Sequence, residues 1–219
     1  MSHSLHRSGS AESLKNDFCI YARAAKGVNR GEGVGDKLRT ILGIYRSENV
    51  VNYGSSHAGR SFSNGLDPDE YAKTLDNSYG IIATFDDREA VKGVLRKAGE
   101  ANTGISFVVS GLIDEVVDIC RETGLKPHTA TLSLGIYGKK ERLPEPEVLD
   151  MVTMCGHSLV AGNLIRDVLR KVRTGRMTPE DAALVAAKPC TCGIFNTKRC
   201  AAVFRALFAA EAEKAKGAD

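Results

Sequence analysis

The stretch YGIIATFDDREAVKGVLRKAGEANTGISFVVS, residues 79–110, decides the fold class. Tyr79–Phe85 is a short run of β-branched and aromatic residues. Ile105–Ser110 (ISFVVS) is the near-continuous apolar run of a strand covered on both faces. Between them, Val91, Val94 and Leu95 recur at helical spacing after Asp86 and Asp87, which open the segment. Strand, helix and strand follow one another with no long loop.

The alternation continues outward. Upstream, Phe18–Ala24 (FCIYARA) reads as a strand and Asp36–Ser47 as an amphipathic helix carrying Leu38, Ile41, Leu42 and Tyr45. Asn49–Tyr53 (NVVNY) is a short strand, and Asp67-Pro68 opens a helix with Asp as cap and Pro at its first position. Downstream, a helix over Leu112–Thr123 ends at Gly124, and Thr129–Tyr137 (TATLSLGIY) reads as a fifth strand. Parallel neighbours need crossover connections, and helices supply them. The expectation is an α/β fold with a five-stranded, mostly parallel sheet flanked by helices. A ferredoxin-like α+β core is the competitor.

After Gly138 the character changes. Charged residues and the pair Pro144 and Pro146 make a linker, and no strand follows. Short and long helices are expected over Glu147–Met154 and Ser158–Arg173. Another is capped by Thr178 and stops before Pro189, and a last one is capped by Asn196 and runs to about Lys216. The chain thus divides into a polar N-terminal tail (1–16), either mobile or laid down as a cover strip, an α/β domain (17–140) and a helical subdomain (143–219).

Composition excludes several classes. Of 219 residues, 42% are apolar and 26% charged, as in soluble globular proteins. A formal charge of +3 is too small to make nucleic acid or an anionic membrane the main partner. The N-terminus has no apolar run of secretory length, and no stretch approaches the ~20 apolar residues of a membrane span. The expected compartment is a reducing cytoplasm, where clustered thiols mean metal or redox chemistry more often than disulfides.

The six cysteines carry the chemistry. Cys155-Gly-His157 and Pro189-Cys190-Thr-Cys192-Gly193 each sit at a helix boundary, where glycines let the chain wrap a bulky group and free N–H groups stabilise thiolates. Cys155, Cys190 and Cys192 are the expected metal ligands. Three thiolates hold three irons of a [4Fe–4S] cluster and leave one iron open. Cys200 as a fourth ligand would close it for electron transfer, although its place on the apolar stripe of the last helix reads as a core contact. His157 as the fourth ligand would instead suit zinc. With an open iron, His157 is placed for proton transfer.

In a parallel sheet ligands bind beyond the carboxyl ends of the strands, which would bring the cysteine loops and two other loops to one edge. Gly31–Lys37 follows a strand and opens a helix, so Gly33 and Gly35 are candidate cradles for phosphate or carboxylate. The loop at 54–65 offers Ser55, Ser56 and His57, with Arg60 as a grip for a carboxylate. The expected protein is a cytoplasmic iron–sulfur enzyme, a lyase or oxidoreductase of oxygen-poor metabolism. Its three-cysteine cluster activates a small polar or carboxylate-bearing substrate for elimination, desulfuration or reduction. The alternatives are a four-cysteine electron-transfer or scaffold subunit with a redox partner protein, and a zinc-stabilised binding module. A homo-oligomer through the Ala-rich last helix stays open.

Overall fold

A computed structural model describes residues 7–54 and 59–216. Its sheet is built from β1 (Phe18–Arg23), β2 (Val50–Gly54), β3 (Gly80–Phe85) and β4 (Ser106–Ser110). The order is β2-β3-β1-β4, and every neighbouring pair is antiparallel. A short helix α1 (Ala11–Leu14) precedes the sheet; α2 (Val34–Ser47) joins β1 to β2, α3 (Pro68–Thr74) lies between β2 and β3, and α4 (Arg88–Ala101) joins β3 to β4.

The five-stranded, mostly parallel sheet is therefore wrong on two counts. The helices α2 and α4 do connect strands of the same direction, as alternation implies. Each crossover skips one position, however, and a third strand fills the gap, so parallel strands are never neighbours. This is the split β-α-β connectivity of the ferredoxin-like arrangement. The expected fifth strand is also missing: residues 129–137 run as irregular, exposed chain, with Leu132 at 63% and Leu134 at 82% exposure. Gly135 takes φ +90°, which breaks the extended backbone in the middle of the apolar alternation.

Burial on both faces explains why the strands read as parallel. Phe18, Ile20 and Ala22 of β1, with Ile81, Ala83 and Phe85 of β3, face a core completed by α2, α4 and α5 (Ile113–Glu122). The alternate residues Cys19 and Ile82 face a second core. That core belongs to α6 (Pro146–Val152), α7 (Gly162–Arg173), α8 (Pro179–Ala187) and α9 (Thr197–Lys216), which cover the other side of the sheet. An antiparallel sheet sandwiched in this way loses its polar face, and with it the usual alternation. Helix starts follow their local chemistry: Asp67, Asp87 and Thr178 each accept a main-chain N–H at their helix N-terminus. No helix among the described residues is long and apolar enough to cross a membrane.

Candidate thiol centre

The loop between α8 and α9 carries Cys190 and Cys192, and the sheet holds it by a row of polar side chains. Asn52 on β2, Thr84 on β3 and Cys19 on β1 are cross-strand neighbours, and all three are fully buried. Three consecutive carbonyls lie over this row. Thr84 Oγ1 donates to Gly193 O at 3.0 Å, Cys19 Sγ to Ile194 O at 3.8 Å, and Asn52 Nδ2 to Phe195 O at 3.1 Å. Gly193, at φ +80°, lies so close to β2 that a Cβ there would stand 2.2 Å from the Tyr53 carbonyl carbon. Asn196 fixes the far end of the loop. Its Oδ1 accepts the Arg199 N–H to cap α9, and its Nδ2 donates to Asn16 O and Asp17 Oδ1.

Cys155 lies in the turn between α6 and α7. Its sulfur and those of Cys190 and Cys192 are buried and form a chain of contacts. Cys155 and Cys190 perturb one another, Cys190 raising Cys155 and Cys155 lowering Cys190, and the Cys190 and Cys192 sulfurs are 3.9 Å apart. His157 Nδ1 is 3.6 Å from the Cys192 sulfur. The nearby backbone favours the thiolate at every sulfur: that of Leu159 and His157 lowers Cys155, that of Phe195 lowers Cys190, and that of Ile194 lowers Cys192. The two turns pass through Gly193 at φ +80° and Ser158 at φ +57°. Successive N–H groups turned inward by such a residue form a concave nest for anions. A left-handed serine is strained, and that strain sits on the turn bearing Cys155.

These contacts separate the thiols chemically. The hydrogen bond from Cys190 holds Cys192 below the usual thiol range, against burial. Cys155 is raised by Cys190 and by burial. Cys190 gains from the Cys155 hydrogen bond, but its own bond to Cys192, burial and the Cys192 charge outweigh this and push it up to about 12. Cys192 is thus the thiolate end of the chain.

Sequence reasoning missed the charge beside these sulfurs. The first described residues form a strip that crosses the helical layer. Ser8 donates through its N–H to Thr153 Oγ1 and through its hydroxyl to Asp150. From this strip Arg7 reaches the buried carboxylate of Asp17 at 2.5 Å, and Arg199 reaches the same carboxylate at 2.8 Å from the other side. Arg7 Nη2 is also 2.8 Å from Cys19 Sγ. Two buried guanidinium groups against one carboxylate leave one positive charge uncancelled within this cluster. The Cys19 thiol is pushed up to about 11 by burial, with Arg7 pulling the other way. The signal in the sequence was slight: Asp17 and Cys19 at the start of an apolar strand, and Arg7 in a Ser-rich tail.

The other expected site residues are dispersed. Ser55, Ser56 and His57 lie outside the described residues. Arg60 and Lys188 line an open groove of about 580 Å³ beside α8, apart from Cys155. Gly33 and Gly35 open α2 in the layer across the sheet, and a Cβ on Gly35 would meet Asp76, so close packing accounts for that glycine. β1 and β2 run the same way, so the loops that follow them leave at one edge of the sheet; the cysteine loop instead lies across the sheet face, over Cys19, Thr84 and Asn52. Cys200 is fully buried in the first turn of α9. A separate cavity of about 330 Å³ has Cys155 in its wall. Among the described residues, no group of three or more His, Cys, Asp or Glu side chains stands in an arrangement that could hold a metal ion. Comparison with family models, curated proteins and solved structures gives no match for this chain.

Proposed function

We propose that this chain is an iron–sulfur protein in which Cys155, Cys190 and Cys192 hold a [4Fe–4S] cluster with one iron open to a small substrate. The observation that carries this reading is the meeting of Cys155, Cys190 and Cys192 in one buried cluster from two turns through Ser158 and Gly193, with the Cys190 and Cys192 sulfurs 3.9 Å apart. Thiol groups packed merely as apolar filler have no need to converge from helix-end turns. Donors to sulfur favour the thiolate and tune a cluster. The uncancelled charge at Arg7, Asp17 and Arg199 adds a counter-charge for an anionic occupant.

An open iron supplies a Lewis acid, suited to elimination, desulfuration or reduction. His157, beside Cys192 and exposed to solvent, is placed to move a proton at its edge. Cys200 stays a core residue of α9, which disfavours a closed electron-transfer cluster. A second reading has one observation of its own. Tetrahedral zinc at ~2.3 Å from sulfur and ~2.05 Å from nitrogen implies sulfur–sulfur and sulfur–nitrogen edges of about 3.8 and 3.6 Å. The Cys190–Cys192 and Cys192–His157 separations are 3.9 and 3.6 Å.

Anaerobic purification followed by metal and sulfide analysis tests both. Brown protein with about four irons per chain is expected, lost in Cys155→Ala and retained in Cys200→Ala. Colourless protein with one zinc selects the second reading. Protein that takes up neither metal overturns both.

A further inference from the structure

The cavity beside Cys155 is lined by Leu149, Val152, Thr153, Ser158 and Val160, with the buried Cys155 in its wall. No charged side chain lines it among the described residues. Thr153 Oγ1 is already engaged, accepting from Ser8 and donating to Leu149 O. Ser158 is exposed at the rim, and its backbone is held in the left-handed region at φ +57°. Arg166, whose guanidinium lies against Gly162 at the edge of the lining, is already paired with Glu145, and Arg60 and Lys188 belong to the other groove. A carboxylate or phosphate entering beside Cys155 would therefore lose its water and gain no counter-charge from the lining. An ionised group pays heavily for that exchange, and an uncharged one does not.

We propose that this cavity is the substrate chamber, and that it admits a small uncharged molecule with an apolar body and one hydroxyl or thiol head. The body lies on Leu149, Val152 and Val160, and the head is met by Ser158 and by the centre at Cys155. The inference rests on Cys155 as a ligand of the proposed centre, but the chamber itself can be tested without metal. It also moves the carboxylate grip expected at Arg60 away from the reacting end.

The test uses metal-free full-length protein treated in parallel with iodoacetamide, which is neutral, and iodoacetate, which carries a carboxylate. Peptide mapping gives the rate of each at Cys155. Both reagents attack the same thiolate, so its protonation cancels in the ratio. The neutral-to-charged ratio at Cys155 is expected to exceed that of the urea-unfolded chain by at least about tenfold. Val152→Trp, which fills the chamber from a half-buried position, should slow iodoacetamide at Cys155 by about tenfold and leave Cys120 unaffected. Circular dichroism and a thermal melt check that this variant folds. The proposal is overturned by a ratio equal to that of the unfolded chain, by a Cys155 that reacts with neither reagent, or by a folded Val152→Trp that reacts like the wild type. In protein reconstituted with iron and sulfide, 1-propanethiol but not 3-mercaptopropionate should alter the electron paramagnetic resonance of the reduced cluster. If no cluster forms, the iron–sulfur reading fails while the alkylation ratio still decides the chamber.

Discussion

Replacing Gly193 by Ala tests whether the cysteine loop is locked to the sheet. Two costs arise at this position. At φ +80° an alanine occupies the left-handed region, for about 1–2 kcal/mol. Its Cβ would also stand 2.2 Å from the Tyr53 carbonyl carbon and 2.5 Å from the Gly54 nitrogen. Both atoms are strand backbone and have no rotamer to change, so the loop itself must lift, adding about 1–3 kcal/mol. Gly175 separates the two costs, because its φ is +66° and an added Cβ meets no heavy atom within 4 Å. Urea unfolding of metal-free protein, followed by circular dichroism, gives both values. With a slope near 3 kcal/mol/M, Gly175→Ala should lower the midpoint by about 0.3–0.7 M and Gly193→Ala by about 0.7–1.7 M. The lifted loop should also carry Cys190 and Cys192 out of register with Cys155, so Gly193→Ala should lose metal while Gly175→Ala keeps it. Equal midpoints for the two variants would refute the docking argument.

Three further outcomes follow from the same contacts. Asn196→Ala removes the cap of α9 and two donors at a fully buried position; a loss of about 2–3 kcal/mol in urea unfolding is expected, and a loss under about 0.5 kcal/mol would contradict it. Chelation of the bound metal should lower the melting temperature yet leave a cooperative transition and native circular dichroism; collapse to an unfolded chain would show that the metal, not the polar row, holds the loop. The metal-free protein should lose stability as pH rises above the free-thiol value of about 8.5, because burial raises Cys19 to about 11 and also raises Cys200. In that range the unfolded chain releases its thiol protons first and so binds fewer, which makes the slope of stability against pH negative. Urea midpoints between pH 8.5 and 10.5 should fall less steeply in Cys200→Ala, by about 1.4 kcal/mol per pH unit; an unchanged slope would sink the assignment.

Local chemistry was legible in the sequence, and pairing was not. Asp67-Pro68, Thr178-Pro179 and Asn196 fixed helix starts because a cap acts within one turn. Strand order depends on which surfaces meet, and the apolar runs of β1 and β3 fit any sheet buried on two sides. Residues 129–137 have the period of a strand, but a ladder needs a partner, which a single segment cannot announce. The cysteine loops were readable because glycine and helix boundaries mark them. Arg7 and Cys19 were not, since their meeting joins a terminal strip to a strand through Asp17 and Ile194.

The polar row bears on what the thiols are for. A loop that only linked α8 to α9 could rest on the sheet through apolar contacts, which tolerate sliding. Asn52, Thr84 and Cys19 bury polar groups at a desolvation cost and net roughly a kcal/mol or less each from their hydrogen bonds. What they add is position: three successive carbonyls are fixed along the sheet, and with them the loop that carries Cys190 and Cys192. Arg7 extends the logic to charge, since a guanidinium touching Cys19 and the Ile194 carbonyl keeps a cation in the wall whether or not the site is filled. A centre arranged in this way has its loop and counter-charge in place before the guest arrives. The Cys190 and Cys192 sulfurs, 3.9 Å apart, must still spread to about 6 Å to sit on two irons of a cubane, so loading moves the thiols while the polar row holds the carbonyls of the loop against the sheet.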